Sequence, residues 1–336
     1  MSNLLKPLKV GSLYLNNRII MPPMATSKAE ADGRVGQEIL GYYKEKSEGG
    51  YISLIIIEHS FIRQDGKASE NQISVSDDSM IENLKKLADI IHSNGSKTVM
   101  QINHAGSATT TEITGAKSII GPSNVPNPRK GGTPSELSCK EIKEIVKAFK
   151  DAAVRVKKAG FDGVEIHSAH GYFLNQFFSP LTNKRKDEYG GDVYGRICIH
   201  LEVIKAVREA VGENFPILLR LGASDYMTGG TTIKDSKIAA CEFEKAGVDI
   251  IDISGGFCGY IIQEQTEQGY FAPLAEEIKK VVSIPVILTG GITDPKVAEK
   301  LLSEGKADLI GVGRAIMKDS MWANNAVESL RNHSIF

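Results

Sequence analysis

The sequence predicts an α/β protein: a closed (β/α)8 TIM barrel with a short N-terminal β-hairpin, one domain over residues 1–336. Three observations carry this. Eight short β-branched runs alternate with amphipathic helical stretches. The runs are almost continuously apolar, as parallel strands buried on both faces are. Small and polar residues gather at their C-terminal ends, where barrel sites are built. Eight right-handed βα units close most simply into a barrel, with an open doubly wound sheet as the alternative.

The runs, in order, are RIIMPPM from Arg18, YISLIIIEHS from Tyr51, KTVMQINHAG from Lys97 and GVEIHSAHG from Gly163. PILLRLGASD from Pro216, VDIIDISGG from Val248, PVILTGGI from Pro285 and ADLIGVGRAI from Ala307 complete the set. LKVGSLYL, before Arg18, reads as a hairpin that caps the barrel bottom. Between the runs, Ser138 stands three residues before Glu141, a capping box. Behind it Ile142, Ile145, Val146, Phe149, Ala152, Ala153 and Val156 follow helical spacing. Asp294-Pro295 reads as an N-cap with a first-turn proline, and Gly305 as a stop. The longest irregular stretches, 106–137 and 179–194, follow the third and fourth runs and belong at the C-terminal face.

Length alone would allow two domains, but no linker rich in Pro, Gly or Ser divides the chain. Hydrophobic residues make up 41% and charged residues 24%, which supports a large core. A net charge of −1 gives no case for nucleic acid or a membrane surface as partner. Lys6, Pro7 and Lys9 interrupt the N-terminal segment, against a secretory leader. The longest apolar run, around Ile52–Ile57, is far short of the ~18 residues a membrane span needs. Four scattered cysteines (Cys139, Cys198, Cys241, Cys258) without a CxxC pair fit a reduced, cytoplasmic protein with no iron–sulfur cluster.

Gln101, His167, His170, Tyr172, Arg220 and Asp225 fall at or just beyond strand ends. A barrel interior is expected to be apolar there, so they are candidate site residues. TGGI (Thr289–Ile292) and GVGR (Gly311–Arg314) put small residues where backbone approaches a ligand. The ends of the last two strands commonly form a phosphate site, to which Arg314 would add a bidentate charge. His167-x-x-His170 could also be half of a metal site, but apart from Glu165 on the same strand the additional ligands zinc needs are missing, and no metal is expected. Two imidazoles can instead hold a developing oxyanion, with Tyr172 as a proton donor.

HSAHGYFLNQFFSPLTNKRKDEYGG (His167–Gly191) resembles the signature segment of the old yellow enzyme family of NADH:flavin oxidoreductases and ene-reductases. RIIMPPM, QINHAG, RLGASD, TGGI and GVGR resemble its other segments, in order, over nearly the whole chain. The resemblance implies non-covalent FMN, with NADH or NADPH as reductant. It places Pro22, Pro23, Met24 and Ala25 along the flavin ring, Gln101 on its pyrimidine and Arg220 at its N1–C2 edge. Gly290, Gly291, Gly313 and Arg314 would hold the phosphate, whose charge suits an arginine with backbone donors. In the implied ping-pong reaction, His167 and His170 polarise the oxygen of an enone or enal, hydride passes from flavin N5, and Tyr172 protonates the α-carbon.

The chain departs from the family at several points. Ala25 replaces a Cys or Thr that tunes the flavin, and Ser27 a substrate-contacting Tyr. His59 stands where a small residue is usual, at the flavin edge or as a buried histidine with a backbone partner. Asp192 and Gly195 replace Ser and Asn at a helix start. The chain ends at Phe336 without the tail that lends an arginine to a neighbouring subunit, and without the further domains of larger relatives. Association into a homo-oligomer through outer helices is allowed for. The competing readings are a flavin reductase with a non-enone acceptor, a flavin-binding protein without turnover, and a phosphate-binding aldolase or epimerase, for which no strand-end Schiff-base lysine is found.

Overall fold

The computed structural model describes residues 2–332; the chain end at Phe336 lies outside them. Strands β1 (Leu8–Val10) and β2 (Leu13–Leu15) form an antiparallel hairpin. Then come β3 (Ile19–Met21), β4 (Leu54–Phe61) and β5 (Lys97–Asn103). Two short strands, β6 (Ile120–Gly121) and β7 (Ser135–Glu136), pair within the long excursion after β5. The remainder are β8 (Gly163–Ser168), β9 (Ile217–Gly222), β10 (Ile250–Ser254), β11 (Val286–Leu288) and β12 (Leu309–Gly311). Eight of them, all parallel, close a barrel in the order β3-β4-β5-β8-β9-β10-β11-β12. These are the eight runs read from the sequence. Closure comes from β12 on β3, with Ile310 opposite Ile19 and Gly311 opposite Ile20.

Side chains alternate along a strand, so every second residue faces the barrel axis. The lowest inward layer is apolar: Ile20, Leu54, Ile56, Val99, Leu218, Ile250, Ile287 and Leu309 pack into one cluster. Leu13 and Leu15 of the hairpin join it from below, so the hairpin plugs the N-terminal end as expected. The outward faces pack against the helices in a second, larger cluster.

The helix boundaries follow from local chemistry. Ser138 and Glu141 make the reciprocal capping box of helix Cys139–Lys158, whose buried face is the one read from the sequence. Asp294 caps helix Pro295–Ser303 through Lys296 N, and Gly305, just past its end, takes φ +71°. Asp192 caps helix Val193–Val211 through the Gly195 N–H. A Cβ on Gly195 would stand 1.9 Å from the Gly190 carbonyl, which accounts for glycine there. The N-terminus is tied to the far end of the chain: Asn3 N and Leu4 N both donate to the Glu299 carboxylate at 2.8 Å. Among the described residues, no helix is long and apolar enough to cross a membrane.

Candidate functional site

Two residues above the apolar layer, the inward positions change character. β5 presents Gln101, β8 Glu165, β9 Arg220 and β10 Asp252. All four are buried. Gln101 Nε2 donates to Glu165 Oε2 at 2.6 Å. Arg220 Nε lies 3.4 Å from Asp252 Oδ2, an ion pair without hydrogen-bond geometry. Arg220 Nε and Nη1, Glu165 Oε1 and both Asp252 carboxylate oxygens are buried without a hydrogen-bond partner. Leaving such atoms unmade costs about 1–3 kcal/mol each, and more for charged groups. Burial raises both carboxyls above the ordinary range, and Arg220 opposes the rise. This concentration of unsatisfied donors and acceptors marks a surface made to meet a polar ligand.

The next inward layer carries aromatic rings. The His167 ring is 5.1 Å from His170 and 5.2 Å from Tyr172. His170 sits at φ +60°, a left-handed conformation unusual for a side-chain-bearing residue. Three contacts hold it there: its N–H donates to Gly255 O, its Nε2 meets Ser254 Oγ at 2.7 Å, and its carbonyl accepts from Arg129 Nη1 at 2.8 Å. His167 Nδ1 is buried with no partner. Burial, and then neighbouring positive charge, hold both imidazoles well below the usual histidine range, so both are neutral. Burial also pushes the Tyr172 phenol up, keeping its proton.

A third group forms where β3, β11 and β12 end. A Cβ on Gly313 would lie 3.1 Å from Met24 Sδ and 3.4 Å from Pro22 Cγ, so this loop packs on the 22–24 segment. Thr26, by its N–H and hydroxyl, donates to the buried Glu58 carboxylate and pins the following turn. Gly290 and Gly291 take φ +127° and +69°. A Cβ on Gly291 would approach Tyr270 to 2.9 Å and Arg314 Nη2 to 3.5 Å. Arg314 donates to the Tyr270 hydroxyl and makes no ion pair among the described residues. Two backbone segments without side chains and an uncompensated cation form a cradle suited to a phosphate.

The structure thus groups His167, His170 and Tyr172; Gln101 with Arg220; Pro22, Met24 and Gly313; and Gly290, Gly291 and Arg314. Pro23 is half-buried in the same segment, and Ala25 is exposed beside it. Ser27 is exposed at φ +55°. Asp225 is corrected: it is fully buried and accepts from Ser179 Oγ, Thr231 N and Phe257 N, so it anchors loops and does not face the site. Asp252, Asn103 and Tyr270 were not read from the sequence as site residues, and Glu165 was weighed only as a metal neighbour. Period-two counting along each run, from the apolar layer upward, would have found Asp252 and Glu165. Among the described residues, the one group of three side chains spaced for a metal is Cys139, Asp187 and Glu188 at the surface, where Asp187 is already bound by Arg185. Two crevices of about 230 and 240 Å3 beside Tyr51 lie at the opposite end, away from all this chemistry.

The model of the NADH:flavin oxidoreductase / NADH oxidase family matches residues 3–333. An NADH oxidase of Thermoanaerobacter brockii is 43% identical over 98% of this chain and 51% of its own length. An NADPH dehydrogenase of Bacillus pumilus is 38% identical over 98% of this chain and 96% of its own. This chain therefore spans about half the length of the first curated relatives and nearly all of others. Among solved structures, a complex of 2-naphthoyl-CoA reductase with 2-naphthoyl-CoA superposes with a TM-score of 0.92 at 28% identity. That match covers 97% of this chain and 52% of the other.

Proposed function

Since the chain belongs to the NADH:flavin oxidoreductase / NADH oxidase family, the old yellow enzyme family, we propose that it is an FMN-dependent, NADH- or NADPH-driven reductase of the C=C bond of α,β-unsaturated carbonyl compounds. One observation carries the reading. Three neutral proton-bearing rings, His167, His170 and Tyr172, converge beside a buried arginine, Arg220, whose Nε and Nη1 lack partners.

The residues fit FMN. Arg220 would meet the N1–C2 edge of the flavin, and Gln101, its Nε2 committed to Glu165, would turn its carbonyl oxygen toward the pyrimidine. Gly290, Gly291, Gly313 and Arg314 would take the phosphate, and Pro22 to Ala25 would border the ring. When bound, FMN would supply the redox chemistry, relaying hydride from the nicotinamide nucleotide to the acceptor's β-carbon. His167 and His170 donate to the acceptor's carbonyl oxygen as charge builds there; fixed donors need no reorganisation at that moment. Their neutrality matters, because an imidazolium beside Arg220 would be unstable. Tyr172 holds its proton at the hydroxyl and gives it to the α-carbon.

A second reading, a reductase with a non-enone acceptor, is favoured by the relative named NADH oxidase. Visible absorption separates the two. A yellow protein should bleach with NADH or NADPH under anaerobic conditions and regain its colour on addition of cyclohexenone. Bleaching without recovery supports the second reading, and a colourless protein that takes up no FMN overturns both.

A further inference from the structure

His59 lies near the end of β4, where the register with β5 shifts between Ile57 and Ser60. Such irregularities re-aim side chains beside active sites. Its ring stands 5.1 Å from Tyr172, tilted by 33°, and 6.2 Å from His167. Both neighbours belong to the acceptor side of the site. The ring is also held at one nitrogen. Gln72 Oε1 accepts from Ala68 N at 2.7 Å, which fixes the amide so that its NH2 faces His59. That NH2 donates to the His59 carbonyl at 2.9 Å and meets Nδ1 at 2.8 Å. Asn103 Nδ2 approaches the same Nδ1 at 3.3 Å. Nδ1 is therefore the acceptor, and the neutral ring carries its hydrogen on Nε2. Among the described residues, nothing accepts from Nε2–H. Burial, and then Arg220, bring the ring down to about 4, so it stays neutral at ordinary pH.

We propose that His59 is a third oxygen-binding donor on the acceptor side, and that with His167 it selects acceptors carrying two carbonyl oxygens across one ring. The two ring centres stand 6.2 Å apart, so the two donors border one acceptor space without sharing a single oxygen. The inference rests on the ene-reductase reading of the pocket. It assigns His59 to the acceptor, in place of the flavin edge to which family position alone would assign it.

The test compares cyclohex-2-ene-1,4-dione with cyclohex-2-enone, which differ by the second carbonyl. His59→Ala should cut kcat/KM for the dione about three- to tenfold more than for the mono-ketone, the loss expected of one neutral hydrogen bond. It should appear in KM. Gln72→Leu leaves the ring but frees its tautomer and should give a smaller loss in the same direction. His59→Gln, which keeps a donor, should restore part of the preference. Calorimetric binding of the saturated pair, cyclohexane-1,4-dione and cyclohexanone, to the protein as purified gives a readout without turnover. There, only the dione should bind more weakly to His59→Ala. Equal changes for both ketones, or none, overturn the proposal. So does loss of bound flavin in His59→Ala with the ketone preference intact, which would return the residue to the cofactor. If the wild type reduces neither acceptor, the ene-reductase reading fails, and the saturated pair still decides whether His59 binds a second oxygen.

Discussion

The two ends of the barrel are built by the same strands, two residues apart, and they obey opposite rules. At the bottom, Leu54, Ile56, Val99 and Leu218 close on each other and on Leu13 and Leu15, with no polar atom among their side chains. One inward step higher, Gln101, Glu165, Arg220 and Asp252 bring two acids and a cation into the same cylinder and leave five of their atoms unpartnered. A core made only for stability would not carry such atoms, because a well-packed apolar replacement is often as stable or more so. The lower layer therefore supplies stability that the upper layer spends on a ligand.

The contrast can be broken from either end, and the expected effects fall in order. Arg220→Ala should cost the most, about 3–5 kcal/mol, by leaving buried carboxyls without their cation. Urea unfolding measures it, and a loss below about 1 kcal/mol would mean that the acids do not need the cation. His167→Ala should slow acceptor reduction by about 10²–10³, roughly 3 kcal/mol of barrier, while flavin content and thermal midpoint stay unchanged. Parallel loss of activity and stability would erase the division between the layers.

Acid comes next. His59, half-buried, and His200, fully buried, are neutral in the fold, held down to about 4 and about 3, chiefly by desolvation. The unfolded chain takes up protons near 6.5, so their stabilisation is complete above that pH and is lost as pH falls below it. Each should forfeit about 2 kcal/mol by pH 5. The thermal midpoint should drop between pH 7 and 5, and His200→Gln should flatten that slope. Ile56→Val, in the lower layer, should have the smallest effect, about 0.5–1.5 kcal/mol, all of it in unfolding and none in kcat.

Strand and helix positions were legible because periodicity is a local signal. The alternation of β-branched runs with amphipathic stretches located all eight barrel strands, and Ser138, Glu141 and Asp294 marked helix starts by cap chemistry alone. The rings of His167, His170 and Tyr172 were legible because they are close in sequence. Asp252 was not, since VDIIDIS reads as an apolar strand until its inward residues are counted against those of its neighbours. Asp225 misled for the converse reason: a polar residue near a strand end can turn toward loops, and only the partners Ser179, Thr231 and Phe257 reveal it. The orientation of His59 depends on Gln72, thirteen residues away across a loop, and no pattern in the chain encodes that contact.

The seam between β3 and β12 joins residues about 290 positions apart, and the grip of Glu299 on Asn3 and Leu4 repeats the long reach. During synthesis, the opening strand has no permanent neighbour on one side until the last βα unit has left the ribosome. Contacts this distant in sequence are slow to form, and exposed strand edges meanwhile invite association with other chains. The cell's yield of the folded barrel should therefore depend on how the nascent chain is sheltered until β12 has emerged, more than on any single contact in the finished barrel.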